Sequence, residues 1–350
     1  NKSDGDKLVE QAPRVVLIPG IGMINTGKNW TAANVSESLY HRAISVMKGA
    51  TILGNFVSLN EQESFGVEYW PLELYKLTLA PPEAEFSRQV AFVTGGAGGI
   101  GSATCFKLVK DGAHVVIADI NLEGAKELAE NINRQFGENR ALAVKMDVTK
   151  EEDVKHAILS SVLTYGGLDI LVNNAGLASS SPFEETTLDK WNLNINVLVT
   201  GYFLVAREVF SLMKDQAIGG NMVFVGSKNS IYAGKNAAAY STAKAAEVHL
   251  ARTVAADGGE YGIRVNSVLP DAVIRGSKIW DSEWKEERAS SYGIGTEDLE
   301  EHYRKRTILN VNILPQDIAE SIAFLASSKA AKTTGCMVTV DGGVAAAFTR

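Results

Sequence analysis

The stretch FVTGGAGGIGSAT, residues 92–104, runs from apolar residues through a glycine-rich turn at 95–101 into a helical pattern. Small residues there let backbone approach a bulky anionic group. A helix opening near Gly101 offers free amides and the positive end of its dipole to a phosphate. A carboxylate, Asp119, closes the next apolar run about 20 residues on. Strand, glycine turn, helix and an acidic residue at the next strand end form the order a dinucleotide site requires; a plain surface turn has no need of the carboxylate.

Outward from this stretch, β-branched runs alternate with helical patterns: VAFVTG at 90–95, HVVIADI at 114–120, ALAVKMDV at 141–148, LDILVNNAG at 168–176, NMVFVGS at 221–227, IRVNSVLP at 263–270 and CMVTVDGG at 336–343. Such apolar strands separated by helices predict an α/β fold, a doubly wound parallel seven-stranded sheet of Rossmann-like form with helices on both faces. Its ligand belongs at the carboxyl ends of the strands. Residues 1–85 differ in texture. PRVVLIPGIG reads as a strand and turn, SESLYHRAISVMKGATIL has helical spacing, and the Pro-Pro pair at 81–82 reads as a linker. We therefore expect a small N-terminal α/β extension over 1–85 and a main domain over 86–350. Its irregular zone at about 275–314 is a candidate substrate lid.

With 350 residues and 45% hydrophobic content, the chain can bury a large core. A net charge of −7 argues against nucleic acid or an anionic membrane as partner. Two cysteines, Cys105 and Cys336, make no disulfide framework, no run approaches a membrane span, and the polar start NKSDGDKLVE is no signal peptide. A reducing, cytoplasmic setting is the expectation. A start at Asn1 rather than Met fits a segment of something longer.

Asp119 would accept hydrogen bonds from ribose hydroxyls and repel a 2′-phosphate, and Gly96 and Ile120 supply no cation to welcome one, so NAD is expected over NADP. The spacing of Thr94, Gly95, Gly99 and Gly101 is TGxxxGxG, not GxGxxG, and resembles the short-chain dehydrogenase/reductase family. The resemblance extends over residues 88–345. Asp147 and Val148 stand where that family contacts adenine, and Asn173, Asn174, Ala175 and Gly176 match its NNAG motif. Ile100 belongs to the phosphate turn, and Pro270 and Val273 stand against the nicotinamide. Tyr240 and Lys244 form YxxxK, with Ser227 placed 13 residues before the tyrosine like the family's catalytic serine.

The chemistry accounts for that spacing on its own terms. Tyr240 and Lys244, at i and i+4, share a helix face, so the ammonium can favour phenolate. Working near neutrality needs a shift of about 3 units from an ordinary tyrosine, roughly 4 kcal/mol, which the lysine and a positive nicotinamide would supply. The phenolate would take the alcohol proton as hydride leaves, while Ser227 holds the substrate oxygen.

Two departures stand out. Leu198 occupies the position of the family's water-anchoring asparagine; Asn194, one turn earlier, is the expected substitute, and Asn196 serves if the helix carries a bulge. Asp271 and Arg275 replace the usual Gly and Thr after the sixth strand. Beyond them Arg275, Lys278, Arg288, Arg304 and Arg306 lie among Trp280, Trp284, Tyr292 and Tyr303, either as a lid reading an anionic or hydroxylated substrate or as amphipathic helices with solvated charges. Neither cysteine looks activated, and the five histidines form no metal-binding pattern, so no metal is expected.

The N-terminal VLIPGIGMINTGKN and EYWPLELYKL resemble the link region of bifunctional rhamnulose-1-phosphate aldolase/short-chain dehydrogenase proteins. Ile21 stands where the aldolase turn carries a zinc-binding His, so no aldolase activity is expected in this chain. That resemblance implies rhamnose or deoxyhexose breakdown, with lactaldehyde oxidised to lactate by way of its hydrate. The alternatives are an alcohol, sugar or sugar-phosphate dehydrogenase of the same family, and a non-catalytic NAD-binding scaffold. Family resemblance also implies a homo-oligomer, dimer or tetramer, and a fusion to an aldolase domain.

Overall fold

The computed structural model describes residues 13–79, 81–277, 280 and 283–348. The chain divides into two compact units, Asn1–Arg88 and Gln89–Arg350. In the first, β1 (Val15–Ile18) and β2 (Gly22–Asn25) pair as an antiparallel hairpin whose turn carries Ile21, and α1 (Trp30–Leu53), α2 (Glu61–Glu68) and α3 (Pro71–Thr78) follow. Asn29 caps α1 through the Ala32 amide, and Asn60 with Glu63 makes a capping box on α2. These helices are locally well specified, yet none buries a residue.

The second unit is built on a seven-stranded sheet of β3 (Val90–Thr94), β4 (His114–Asp119), β5 (Ala141–Lys145), β6 (Ile170–Asn173), β7 (Gly220–Val225), β8 (Ile263–Pro270) and β9 (Met337–Val340). All neighbours are parallel, in the order β5-β4-β3-β6-β7-β8-β9. Strands β3 and β6 are buried along their whole length, which is why they read as unbroken apolar runs. The chain builds outward from β3 to β5, then returns to lay β6 on the other side of β3. That reversal opens a crevice at the carboxyl ends of the two central strands.

Helices α4 (Gly99–Lys110), α5 (Leu122–Phe136), α6 (Glu151–Tyr165), α7 (Leu188–Ile195), α8 (Tyr202–Gln216), α9 (Ala238–Gly258), α10 (Glu283–Tyr292), α11 (Leu299–Arg306) and α12 (Pro315–Ala326) complete the unit. A π-helical turn, Asn196–Gly201, joins α7 to α8. The resulting helix, Leu188–Gln216, reaches the length and hydropathy of a membrane span, contrary to the expectation that no stretch approaches one. Part of its apolar character serves the core, because Leu198, Tyr202, Val205, Val209 and Met213 are buried, while Leu193 and Phe203 stay exposed.

Candidate functional site

The glycine turn is held by the end of the neighbouring central strand. Thr94 Oγ1 accepts hydrogen bonds from the amides of Asn174 at 2.8 Å and Ala175 at 2.9 Å. In return, Asn174 Nδ2 donates to the carbonyls of Thr94 and Gly95 at 2.9 and 3.1 Å. Gly95 leaves β3 at a φ of 61°, and a Cβ there would lie 2.8 Å from the Cα of Ala175. Only glycine meets both demands. The Asp119 carboxylate accepts from the Ala97 and Asn121 amides, each at 2.9 Å, which ties the end of β4 to the same turn.

These elements wall one end of a cleft of about 620 Å³ lying across the carboxyl ends of the strands. Gly95, Gly99, Ile100 and Asp119 line it beside the turn; Asp147 and Val148 follow from β5, and Asn174, Ala175 and Gly176 from β6. Tyr240, Lys244, Pro270 and Val273 line its far half. Of the residues expected to contact a cofactor, Gly101 alone does not reach the cleft, because it backs onto the Gly95 carbonyl and serves the turn from behind. A Cβ at Gly99 would run into the Gly276 carbonyl. The side-chain-free cradle and the carboxylate at Asp119 together fit a nicotinamide dinucleotide.

Ser227, Tyr240 and Lys244 meet in the same cleft. Ser227 follows β7, its hydroxyl accepting from the Asn229 amide at 3.1 Å and lying close enough to the phenol of Tyr240 to influence it. Burial pushes the Tyr240 phenol above its ordinary range; Lys244 and Ser227 pull it down, while Glu247 and Asp271 push it up. Desolvation thus outweighs the lysine in this state, and the lowering expected from YxxxK is present only as an opposing contribution. Tyr240 packs against Trp284, ring centroids 5.7 Å apart, so one aromatic wall continues from α9 to α10.

The lysine's partners differ from those expected. Asn194 is fully buried, but its Nδ2 donates to Ser179 Oγ at 2.7 Å and to the Lys190 carbonyl at 2.8 Å, and it does not line the cleft. The helix does carry the bulge that would have served Asn196, yet Asn196 remains exposed. Lys244 Nζ instead donates to the Val225 carbonyl at 2.9 Å and to Glu247 Oε1 at 3.0 Å. The buried Tyr202 ring stands 5.3 Å from the ammonium, and its hydroxyl donates to the same Val225 carbonyl at 3.1 Å. Sequence reasoning missed Glu247 and Tyr202, although a carboxylate at i+3 from the lysine was a usable signal.

At the substrate end, Ser227, Lys228, Asn229, Trp280, Trp284, Arg288 and Tyr303 face the space before Tyr240. Lys228 is 4% exposed, and among the described residues no carboxylate pairs with it; its ammonium lies 5.2 Å from the Tyr232 ring. Burial, reinforced by Arg306 and Arg288, pushes it down to about 8 against the pull of Asp271 and Asp341. Arg288 donates to the Lys235 carbonyl at 2.7 Å and to the Tyr303 hydroxyl at 3.3 Å. The other cations in this region are spent elsewhere. Arg275 pairs with Glu300, Arg304 with Glu301 and Arg306 with Asp271, and none of the three lines the main cleft. Tyr292 lies behind the wall, hydrogen-bonded to Arg288, and Lys278 lies outside the described residues. Sequence gave no reason to single out Lys228 beyond its place after Ser227.

Burial drives the Cys105 thiol far above its ordinary range, so it is no nucleophile.

Comparison with known proteins agrees with this geometry. The short chain dehydrogenase family model matches residues 89–287, and the model of the second domain of class II aldolases matches residues 1–77. An uncharacterized oxidoreductase, YuxG of Bacillus subtilis, is 70% identical over 350 residues, which is 100% of this chain and 51% of that protein. The chain therefore spans about half the length of that relative. Sorbitol-6-phosphate 2-dehydrogenase of Escherichia coli is 32% identical over 255 residues, 73% of this chain and 98% of the other. Among solved structures, sorbitol-6-phosphate 2-dehydrogenase from Erwinia amylovora superposes with a TM-score of 0.70 at 33% identity, covering 74% of this chain and 100% of that one. A 3-ketoacyl-(acyl-carrier-protein) reductase from Brucella melitensis, complexed with NADH, gives 0.65 at 28% identity over 73% and 97%.

Proposed function

This chain belongs to the short-chain dehydrogenase family, and from that premise we propose that it is an NAD-dependent oxidoreductase that oxidises a small hydrated aldehyde, lactaldehyde to lactate, in deoxyhexose breakdown. The observation that carries the catalytic reading is that Ser227, Tyr240 and Lys244 line the same cleft that begins at the glycine turn, with Ser227 and Lys244 both close enough to influence the Tyr240 phenol. NAD is favoured over NADP by the Asp119 carboxylate, which still has acceptor capacity beyond its two amide bonds and would repel a 2′-phosphate. When bound, the nicotinamide supplies hydride exchange.

The protein groups supply the rest. Ser227 donates to the reacting oxygen and keeps it beside the phenol. Tyr240, as phenolate, takes the O–H proton while the carbon gives up its hydride and the C=O forms. A hydrated aldehyde presents this machinery with the same O–H and C–H as a secondary alcohol and leaves as a carboxylic acid, with no thioester and no reactive cysteine. Lys228 and Arg288 fit that product, because a carboxylate formed beside Tyr240 would meet a buried cation that otherwise pairs with no carboxylate among the described residues. The match of residues 1–77 to an aldolase domain supports a fusion in which an aldol cleavage furnishes the aldehyde. The exposed apolar side chains of the first unit, Ile52 at 84% and Leu53 at 92%, suit a segment packed within a larger fold.

The same cations favour a second reading, a sugar-phosphate dehydrogenase, since a phosphate would satisfy Lys228 and Arg288 equally well. Incubation with NAD and lactaldehyde, followed by NADH absorbance and lactate analysis, tests the first; sorbitol 6-phosphate in place of lactaldehyde tests the second. Absence of both NADH and lactate in the first assay rejects the lactaldehyde reading. We place the enzyme in the cytoplasm as a homo-oligomer, dimer or tetramer. The free cysteines support the compartment and the exposed Leu159 and Leu163 of α6 the assembly; sedimentation at several concentrations checks the latter.

A further inference from the structure

Glu247 is fully enclosed, three residues after Lys244 on the same face of α9, and touches no part of the cleft. A carboxylate in such a place needs an explanation, since burial of a charged group is costly unless it is paired. Its Oε1 accepts from Lys244 Nζ at 3.0 Å, and its Oε2 has no hydrogen-bond partner among the described residues. Leu198, which occupies in sequence the position of the family's asparagine, is hydrocarbon and 0% exposed. Among the described residues the lysine is thus offered a carbonyl, a carboxylate and an aromatic ring, and no side-chain amide.

We propose that Glu247 is the positioning residue of this active site, the counterion that holds the Lys244 ammonium in an almost dry pocket and fixes its Nζ behind Tyr240. The assignment rests on the proposed roles of Tyr240 and Lys244. An ammonium 5% exposed and stripped of its carboxylate loses the ionic contact that anchors it, and its Nζ is free to draw away from the phenol. Once displaced, it opposes less of the desolvation that holds the phenol up. Glu247 therefore acts on Tyr240 in two opposite senses: directly, its charge disfavours phenolate; through Lys244, it preserves the nearer charge that favours it. In this assignment the lysine path dominates, because Glu247 contacts the Lys244 ammonium directly at 3.0 Å and makes no hydrogen bond to Tyr240 among the described residues.

The groups that act on this carboxylate are few. Lys244 from its own helix and Tyr202 from α8 both favour its ionised form against burial, leaving Glu247 at about 7. Those acting on Tyr240 are Lys244, Ser227 after β7, Glu247, and Asp271 after β8. Tyr202, held above its ordinary range by burial and by Glu247, stays a neutral phenol and a donor. Tyr202 and Tyr240 also act on one another.

The test uses the full chain saturated with NAD and without substrate, its tyrosines isotope-labelled at the ζ-carbon and followed by NMR against pH. The Tyr240 signal is identified by its loss in Tyr240→Phe. In Glu247→Gln, which preserves shape and removes charge, the Tyr240 midpoint rises by about one unit or more, corresponding to at least about tenfold less phenolate at a given pH. In Glu247→Asp the midpoint stays near that of the parent. Combined with Lys244→Met, the Gln substitution produces no further rise. A Gln variant that titrates with the parent or below it overturns the assignment, as does a rise that persists without Lys244. Should the Gln variant not fold, the Asp variant decides, a parent-like midpoint supporting the proposal and a raised one overturning it. Loss of the proposed function has a separate signature: a Tyr240→Phe enzyme with undiminished turnover defeats that reading, whereas an unmoved midpoint defeats only this one.

Discussion

At the glycine turn the cleft is walled by backbone, with Gly95, Gly99 and the amides pinned by Thr94 and Asn174, and one carboxylate at its margin. At the opposite end it is walled by large side chains, among them Lys228, Trp284, Arg288 and Tyr303, drawn from segments far apart in the chain. Backbone geometry depends on local residue type, so the first end tolerates little change. The second is set by tertiary packing and can vary without disturbing the first. Perturbations at the two ends should therefore separate into different kinetic parameters.

The sharpest break lies where the two ends meet. Tyr240→Phe removes the proton acceptor and leaves the cradle intact. We expect turnover to fall by about a hundredfold to ten-thousandfold while NADH binding, read by fluorescence, changes little. A parallel loss of NADH binding would show that the two ends are not separable. Next in size is Asp119→Ser at the turn. Loss of charge-assisted hydrogen bonds should weaken NAD by roughly tenfold to a hundredfold and improve NADP, with turnover at saturation nearly unchanged. An unaltered ratio of NAD to NADP affinity would remove Asp119 from the account of cofactor choice.

A smaller and opposite pair of effects belongs to the substrate end. Lys228 is a buried cation that pairs with no carboxylate among the described residues, and this costs stability. Lys228→Met is expected to raise the melting temperature while weakening inhibition by lactate about tenfold, the worth of one charged hydrogen bond. NAD affinity should stay at the parent value. A melting temperature that falls would mean that the ammonium has a stabilising partner in the fold.

The same contrast explains what could be read from sequence. The sheet, the glycine turn, Asp119 and the Ser227-Tyr240-Lys244 set are each specified by local spacing, and the fold places all of them about one cleft. Lys228 had no such spacing rule to announce it, and the i+3 spacing of Glu247 from Lys244 gave no sign of its burial. Asn194 shows the limit most clearly. Helical periodicity allowed it to share a face with position 198, but the π turn begins just after it, and its amide is taken by Ser179 on the loop beyond β6. Arg275 failed for a related reason: its charge was visible in the sequence, its partner Glu300 was not. Pairing across distant segments decides which charges reach a cleft, and a linear pattern does not carry it.

One effect belongs to neither end and has to be subtracted before any pH profile of the cleft is read. His114 opens β4 at its amino end, with the cleft at the other end of the strand, and its ring lies 5.1 Å from that of Tyr165. Burial, aided by Arg140, holds the imidazole down to about 4. A histidine depressed in the folded state binds fewer protons there than in the unfolded chain. Its contribution to stability is thus whole above the ordinary value of about 6.5 and is lost as pH falls toward about 4. The parent should melt at a lower temperature at pH near 5 than near 7, and His114→Phe, which keeps an aromatic ring against Tyr165, should flatten that difference. Because neither wall of the cleft includes His114, the variant should leave NADH affinity and the Tyr240 midpoint where they were. If the flattening is accompanied by a shift in that midpoint, acid unfolding and phenol titration are coupled through the sheet, and the separation between the cleft's two ends gives way to a single cooperative unit.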